Sequence, residues 1–353
     1  MGQKLFKVVI IMLVLVLVGS LSLGIINFAL LNKNVDKGSM IQSSEPPKYH
    51  FMVIVDGSNT SYSEEYKKGM LRACEDNSVA VEFWDITGAN KMKEILKQVD
   101  IAIESRVDGI IVYTYDNVIF EEALSRATEA NIPLVTVNED VPGSKRVTHV
   151  GINKFYIGSE IGRLLNKELI GTGDVIVLER DAFISEDYSS EALEATENSS
   201  DNGLIFLGIK DTLRDYGNIN VEQVNYSDAS VLTAEEVAMN VLEQYENVKA
   251  IVCTNGQDTL GVVEVLIDFN KISTIVVIAY DDLPEILDYI DKEVIYATVV
   301  ADYDKEGYDS VQSLVDYIDQ DIVATYSYIP TTIVTKNNLE RYKGETNEAN
   351  EKN

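Results

Sequence analysis

The residues that could do covalent or acid–base chemistry are few, and their spacing argues against it. Cysteine occurs twice, at Cys74 and Cys253, and histidine twice, at His50 and His149. Both cysteines stand among apolar neighbours, one in a predicted helix and one in a predicted strand. That setting suits small buried hydrophobes, not a secreted disulfide scaffold. Neither histidine has a Cys, Asp or Glu at metal-ligand spacing, so no zinc site is expected. No G-x-S-x-G elbow, P-loop or H-E-x-x-H motif occurs. Gly171-Thr172-Gly173 lacks the third glycine of a dinucleotide fingerprint and opens a strand where a helix would be needed. The pair Asp281-Asp282 stands in a chain with 58 carboxylates, so adjacency alone is no sign of general acid–base work. No catalysis and no cofactor are expected. Binding remains.

Length and charge narrow the ligand. The 353 residues are 46% apolar, enough for two cores. The net charge of −29 keeps the surface solvated and repels polyphosphates, which excludes nucleic acid as a partner.

The elements that must position any binding groups begin after an unusual amino terminus. From Val8 to Leu31 no residue is charged, and ~20 apolar residues suffice for a helix to cross a bilayer. Lys4 and Lys7 precede the run, so residues 1–7 are expected as a cytoplasmic stub. Gly19, Ser20, Ser22 and Gly24 would also fit a cleaved signal peptide. The run continues well beyond them, which favours an uncleaved anchor, and no cysteine near its end could carry a lipid. Residues 32–48, with Pro46-Pro47 and no apolar period, read as a linker. Residues 337–353 read as a polar, frayed tail.

Between linker and tail, short β-branched runs alternate with amphipathic segments. Phe51–Val55, Val79–Trp84, Gly109–Tyr113 and Pro133–Val137 read as buried strands, with helices over about 63–75, 90–103 and 118–130. The alternation restarts at a helix over 153–169. Strands follow at 175–178, 221–224, 250–254, 274–279 and 295–300, with a final one near 329–334. The helices between them cover about 203–216, 234–244, 259–269, 284–291 and 305–317. Continuous apolar strands separated by helices imply parallel sheets covered on both faces. So many units exceed one sheet, so the fold class is α/β with two doubly wound lobes.

Several phrases in order resemble the periplasmic binding proteins of the ribose- and galactose-binding type. They are VIVDGSNTSYSEEYKKGM from Val53, VDGIIVYTYD from Val107, ANIPLVTVNED from Ala130 and VTHVGINKFYIGSEIGRLL from Val147. Downstream come NVKAIVCTNGQDTLGVVEVL from Asn247, VVIAYDD from Val276 and YATVVADYDKEGYDSV from Tyr296. The resemblance spans about residues 50–335. It implies three hinge crossovers near Gly151, Ala301 and Ile329, an N-terminal lobe of 49–151 plus 302–328, and a C-terminal lobe of 152–301 plus 329–336.

The resemblance also implies ligand contacts beyond strand ends. Tyr62 takes the place of an aromatic that stacks on a sugar face, with Asn59 and Thr60 beside it. Asn138 stands for the usual aspartate after PLVTV, Asn255 follows AIVCT, Asp281 ends the VVIAY strand, and Asp302 lies at a hinge position. Such groups suit a polyol, since amides donate and accept while carboxylates accept from hydroxyls. Asn and Asp after strands are equally at home in turns and helix N-caps. The sequence departs from the sugar-binding pattern in lacking two arginines, at Glu139 and in the run GLIFLG, so Arg180 after the 175–178 strand is a substitute candidate. The segment 181–201 carries seven carboxylates and no base, and reads as a surface loop or as an acidic lid. The expected partners are a small polar, sugar-like ligand, the membrane through the amino-terminal helix, and either an ABC permease or a membrane sensor kinase. The expected location is the cell membrane, with the binding domain extracytoplasmic.

Overall fold

The computed structural model describes residues 39–41, 47–57, 60–87, 91–115, 118–180, 203–226 and 231–351. The apolar run 8–31, Asn59 and the acidic segment 181–201 lie outside them. Among the described residues no helix is long and apolar enough to cross a membrane.

Strand β2 (Tyr49–Asp56) contains the FMVIV run, and its alternation decides the first lobe. Phe51, Val53 and Val55 point to one face and Met52 and Ile54 to the other, and all five are buried. Both faces must therefore be covered. On one side lie α1 (Thr60–Asn77) and α9 (Tyr303–Gln320), whose Tyr66, Met70, Val311 and Leu314 join the Phe51 cluster. On the other lie α2 (Lys91–Ser105) and α3 (Val118–Glu129), whose Ile95, Val99, Phe120 and Leu124 join the Met52 cluster. The sheet adds β1 (Ser39–Ile41), β3 (Val79–Ile86), β4 (Gly109–Thr114), β5 (Leu134–Asn138), β6 (Thr148–Gly151) and β12 (Tyr326–Tyr328) in the order β1-β3-β2-β4-β5-β6-β12. All pairings are parallel except β1 on β3.

The second lobe repeats the plan. Its sheet runs β13-β11-β10-β9-β7-β8, built from β7 (Thr172–Arg180), β8 (Asn218–Tyr226), β9 (Val248–Cys253), β10 (Val276–Tyr280), β11 (Ala297–Ala301) and β13 (Thr331–Thr335). Only β13 is antiparallel to its neighbour. Helices α4 (Lys154–Glu168) and α5 (Leu204–Leu213) cover one face. Helices α6 (Val231–Gln244), α7 (Gly256–Asp268) and α8 (Pro284–Asp291) cover the other.

Three segments cross between the sheets, after β6, after β11 and between β12 and β13. They are laced side by side by backbone bonds, Ile329 N–H to Gly151 O at 3.0 Å and Asp302 N–H to Pro330 O at 3.0 Å. The expected strand over 329–334 falls on β13, whereas β12, which precedes it in the other sheet, was not expected. Pro330 between them has no N–H to continue a ladder. Strand β6 escaped the sequence reading, being only 4 residues long. The residues expected as a frayed tail instead form α10 (Leu339–Glu351), held to the second lobe by buried Leu339 and by the Tyr342 hydroxyl donating to Asp282 at 2.6 Å.

Candidate functional site

Parallel sheets direct the carboxyl ends of their strands, and the loops after them, toward one edge. Here both edges face the three crossovers. Each sheet turns there on a residue in the left-handed region, Asn138 (φ 72) at the end of β5 and Asp281 (φ 70) after β10. Asn and Asp are the side chains that tolerate this conformation. The Asn138 amide donates to the Thr114 carbonyl at 2.9 Å, and the Thr298 hydroxyl donates to the Asp281 carbonyl at 2.5 Å. Neighbouring strand tips thus hold each turn.

Between the tips lies a cluster of tyrosines. The Tyr62 ring packs edge-on against Tyr303 at 4.8 Å and Tyr113 at 5.8 Å, and stacks on Tyr66 at 5.4 Å. Tyr113 in turn meets Tyr115 at 5.4 Å. The chain reaches across the hinge where the Tyr303 hydroxyl, from the first lobe, donates to Asp281 Oδ1 of the second at 3.1 Å. The Gly256 amide, at the start of α7, donates to Asp281 Oδ2 at 3.3 Å. A second lobe-to-lobe contact is the ion pair of Lys154, first residue of α4, with Glu139 after β5.

Two carboxyls in this cluster are shifted strongly. Burial raises Asp281 to about 6; the Tyr303 hydroxyl and the Gly256 amide pull against that, and neighbouring Asp282 adds to it. Burial raises Glu306 to about 8, opposed by the Tyr62 hydroxyl and the Asn138 backbone amide. Glu306 is only 3% exposed, and its Oε2 has no hydrogen-bond partner among the described residues. Tyrosines 62, 66, 113, 280 and 303 all feel its charge. Beside the cluster, Asp56 is engaged by Lys91 at 2.8 Å and by the Tyr115 hydroxyl at 2.6 Å.

The sequence candidates divide accordingly. Tyr62, Asn138 and Asp281 come together at the strand tips. Asn255 and Asp302 are N-caps, of α7 and α9, accepting from the Asp258 and Lys305 amides at 2.9 Å each. Asn255 adjoins the site through Gly256, whereas Asp302 is exposed. Arg180 closes β7 in register with Tyr226. Asn59 lies outside the described residues. The sequence reading missed Glu306 and Tyr303, one helical turn apart just past a crossover, together with Tyr113, Tyr280 and Lys154.

Other features lie elsewhere or are inert. A hollow of about 620 Å³ sits at the amino ends of the second lobe's strands, lined by Thr172, Lys249, Ile275 and Tyr296, at the far end of that sheet from the crossovers. A smaller one of about 230 Å³ lies by Arg72, Asp302 and Tyr308. Burial pushes both thiols, Cys74 and Cys253, up to about 12, so neither is a ready nucleophile. Among the described residues no three His, Cys, Asp or Glu side chains converge as a metal site.

Two doubly wound lobes, three laced crossovers and polar groups at facing strand tips define a two-lobed ligand clamp. The chain belongs to the periplasmic binding protein domain family, whose model matches residues 51–321. It is 20% identical over 270 residues to the D-allose-binding periplasmic protein of Escherichia coli K12, a match covering 74% of this chain and 82% of that protein. Its fold matches GanP, a glucose-galactose binding protein from Geobacillus stearothermophilus, at a TM-score of 0.72 and 27% identity, covering 82% of this chain and 98% of the other. It also matches a sugar-binding protein of a sugar ABC transporter from Bacillus halodurans at a TM-score of 0.70 and 23% identity, covering 83% and 99%.

Proposed function

We propose that this protein is an extracytoplasmic solute-binding protein, held at the membrane by residues 8–31. It captures a small polar, sugar-like ligand between its lobes and delivers it to an ABC importer, without chemical turnover. The observation that carries this reading is the Tyr303–Asp281 hydrogen bond across the hinge. It joins an aromatic face to a strand-tip carboxylate, and those two surfaces are what a polyol needs. Opening about the crossovers parts this bond and the Lys154–Glu139 pair, exposes the tyrosine faces, and lets a ligand re-bridge the lobes on closing. The sugar-binding relatives support the ligand class, and the sequence's lack of a catalytic motif supports binding alone.

The test is thermal unfolding of the purified ectodomain against a panel of sugars and polyols. A saturating ligand should raise the melting temperature, and Asp281→Ala should remove the rise. A panel with no effect defeats the sugar assignment, and recovery of a chemically altered sugar defeats the non-enzymatic reading. Fractionation of the full chain should place it in the membrane, with residues 1–31 still attached.

A second reading is a sensory subunit that presents its liganded form to a membrane kinase. The apolar run without a lipidation cysteine favours it, since a permanent anchor keeps such a subunit beside a receptor. Crosslinking in native membranes separates the two, through recovery of a permease or of a kinase.

A further inference from the structure

Among the described residues, two basic groups of the cleft are engaged by carboxylates. Lys91 holds Asp56, and Lys154 holds Glu139. Asp281 and Glu306 are different. Among the described side chains, no Lys or Arg lies within ion-pairing distance of either. Among the described residues, Asp281 accepts from a phenol and a backbone amide. Glu306 keeps a buried oxygen with no hydrogen-bond partner among the described residues, in a carboxyl that is 3% exposed. Around these two acids stand five tyrosines, whose ring faces attract cations as well as C–H groups.

Buried carboxyls without a counter-charge are costly, and the arrangement makes sense when the counter-charge arrives with the ligand. We propose that the ligand is a sugar-sized polyol carrying an ammonium group, which binds between Asp281 and Glu306 with its carbon face on the tyrosines. This rests on the solute-capture reading and specifies its substrate class. The groups facing Glu306 are Tyr62 and Tyr66 from α1, Tyr113 from β4, Tyr280 from β10, the Asn138 amide from β5 and Tyr303 from its own helix. Those facing Asp281 are Tyr303, Tyr280, Tyr113, the Gly256 amide and Asp282. None is a cation. With Glu306 raised to about 8, an arriving ammonium must displace its proton, so binding at pH 7 releases protons to solvent.

Calorimetric titration of the ectodomain with three matched pairs tests this. The pairs are glucosamine with glucose, galactosamine with galactose, and 1-amino-1-deoxysorbitol with sorbitol, each run at pH 7 in two buffers of different ionisation enthalpy. In at least one pair the amine should bind about tenfold tighter or more, the size expected of a charged hydrogen bond in a buried site. It should release protons that the neutral partner does not. Glu306→Gln, checked for an unchanged circular dichroism spectrum, should erase both the preference and the release. Neutral members binding as tightly as their amines would overturn the cationic ligand and leave solute capture standing. An amine preference that survives Glu306→Gln would overturn the assigned site. No binding by any member would overturn both readings.

Discussion

At the scale of single residues, Glu306 is the carboxyl pushed furthest from its ordinary range among the described residues, and its effect on stability has a definite sign. Its carboxyl is raised from an ordinary 4.5 to about 8 by burial. A raised acid contributes stability that is fully present below the unfolded value and lost as pH climbs through the folded one. Without ligand, the protein should therefore lose stability between about pH 4.5 and pH 8, and Asp281, raised to about 6, should add to the loss from about pH 4 to 6. Glu306→Gln keeps the shape and removes the ionisation. Urea unfolding should find the variant more stable than the parent at pH 9, by on the order of 1–3 kcal/mol, and equal to it near pH 4. Equal stability at both pH values would mean that the carboxyl is not buried. The sequence hid this residue for a physical reason. A glutamate in the first turn of an amphipathic helix ordinarily faces solvent and favours the helix dipole. Only the packing of α9 beneath Tyr62 turns it inward. The placing of Asn138 and Asp281 at strand tips was legible because each ends a continuous apolar run.

At the scale of elements, each lobe contains one helix pair that crosses almost backbone to backbone. A Cβ on Gly69 of α1 would strike the Asp304 carbonyl of α9, and one on Gly307 of α9 would strike the Tyr66 carbonyl of α1. The second lobe repeats the arrangement with Gly158 of α4 and Gly208 of α5, each aimed at the other helix's carbonyls. The α1–α9 crossing also sets the height of Tyr62, Tyr303 and Glu306, so a spacer there should act on binding as well as folding. Gly307→Ala should cost about 1–3 kcal/mol in urea unfolding and weaken ligand binding, since the obstructing atoms are backbone and cannot turn aside. A variant of unchanged stability would contradict the close crossing. The main elements were readable because continuous apolar runs and 3.6-residue periods are long-window signals. The short hinge strands β6 and β12 were not, since three or four residues carry no period. Helix α10 was missed because its apolar attachment rests on Leu339 and Tyr342, one turn apart in an otherwise polar segment. Tyr342→Phe should therefore cost about 1 kcal/mol through the lost bond to Asp282, with the effect confined to the second lobe's protection in hydrogen exchange.

At the scale of the molecule, the two lobes meet through contacts of opposite sign, and the balance between them sets how readily the clamp closes. Lys154 and Glu139 attract across the cleft, and both are largely buried, at 17% and 18% exposure. Burial raises Glu65 on α1 to about 7, and the like charge of Asp282 on the second lobe adds to it. A ligand binds the closed form, so anything that shifts closure shifts apparent affinity by the same factor. Lys154→Met leaves Glu139 without its partner across the cleft and should favour opening. At about 1–2 kcal/mol, discounted for partial exposure, this means roughly a tenfold loss of affinity. Glu65→Gln removes repulsion at a more exposed site and should improve affinity by about twofold. Neither residue is placed against the ligand, so small-angle scattering should report the cause. The ligand-free Lys154→Met protein should be more extended than the parent, and saturating ligand should return it to the same compact dimensions. A loss of affinity with no change in the ligand-free dimensions would place Lys154 against the ligand itself and remove it from the closing contacts.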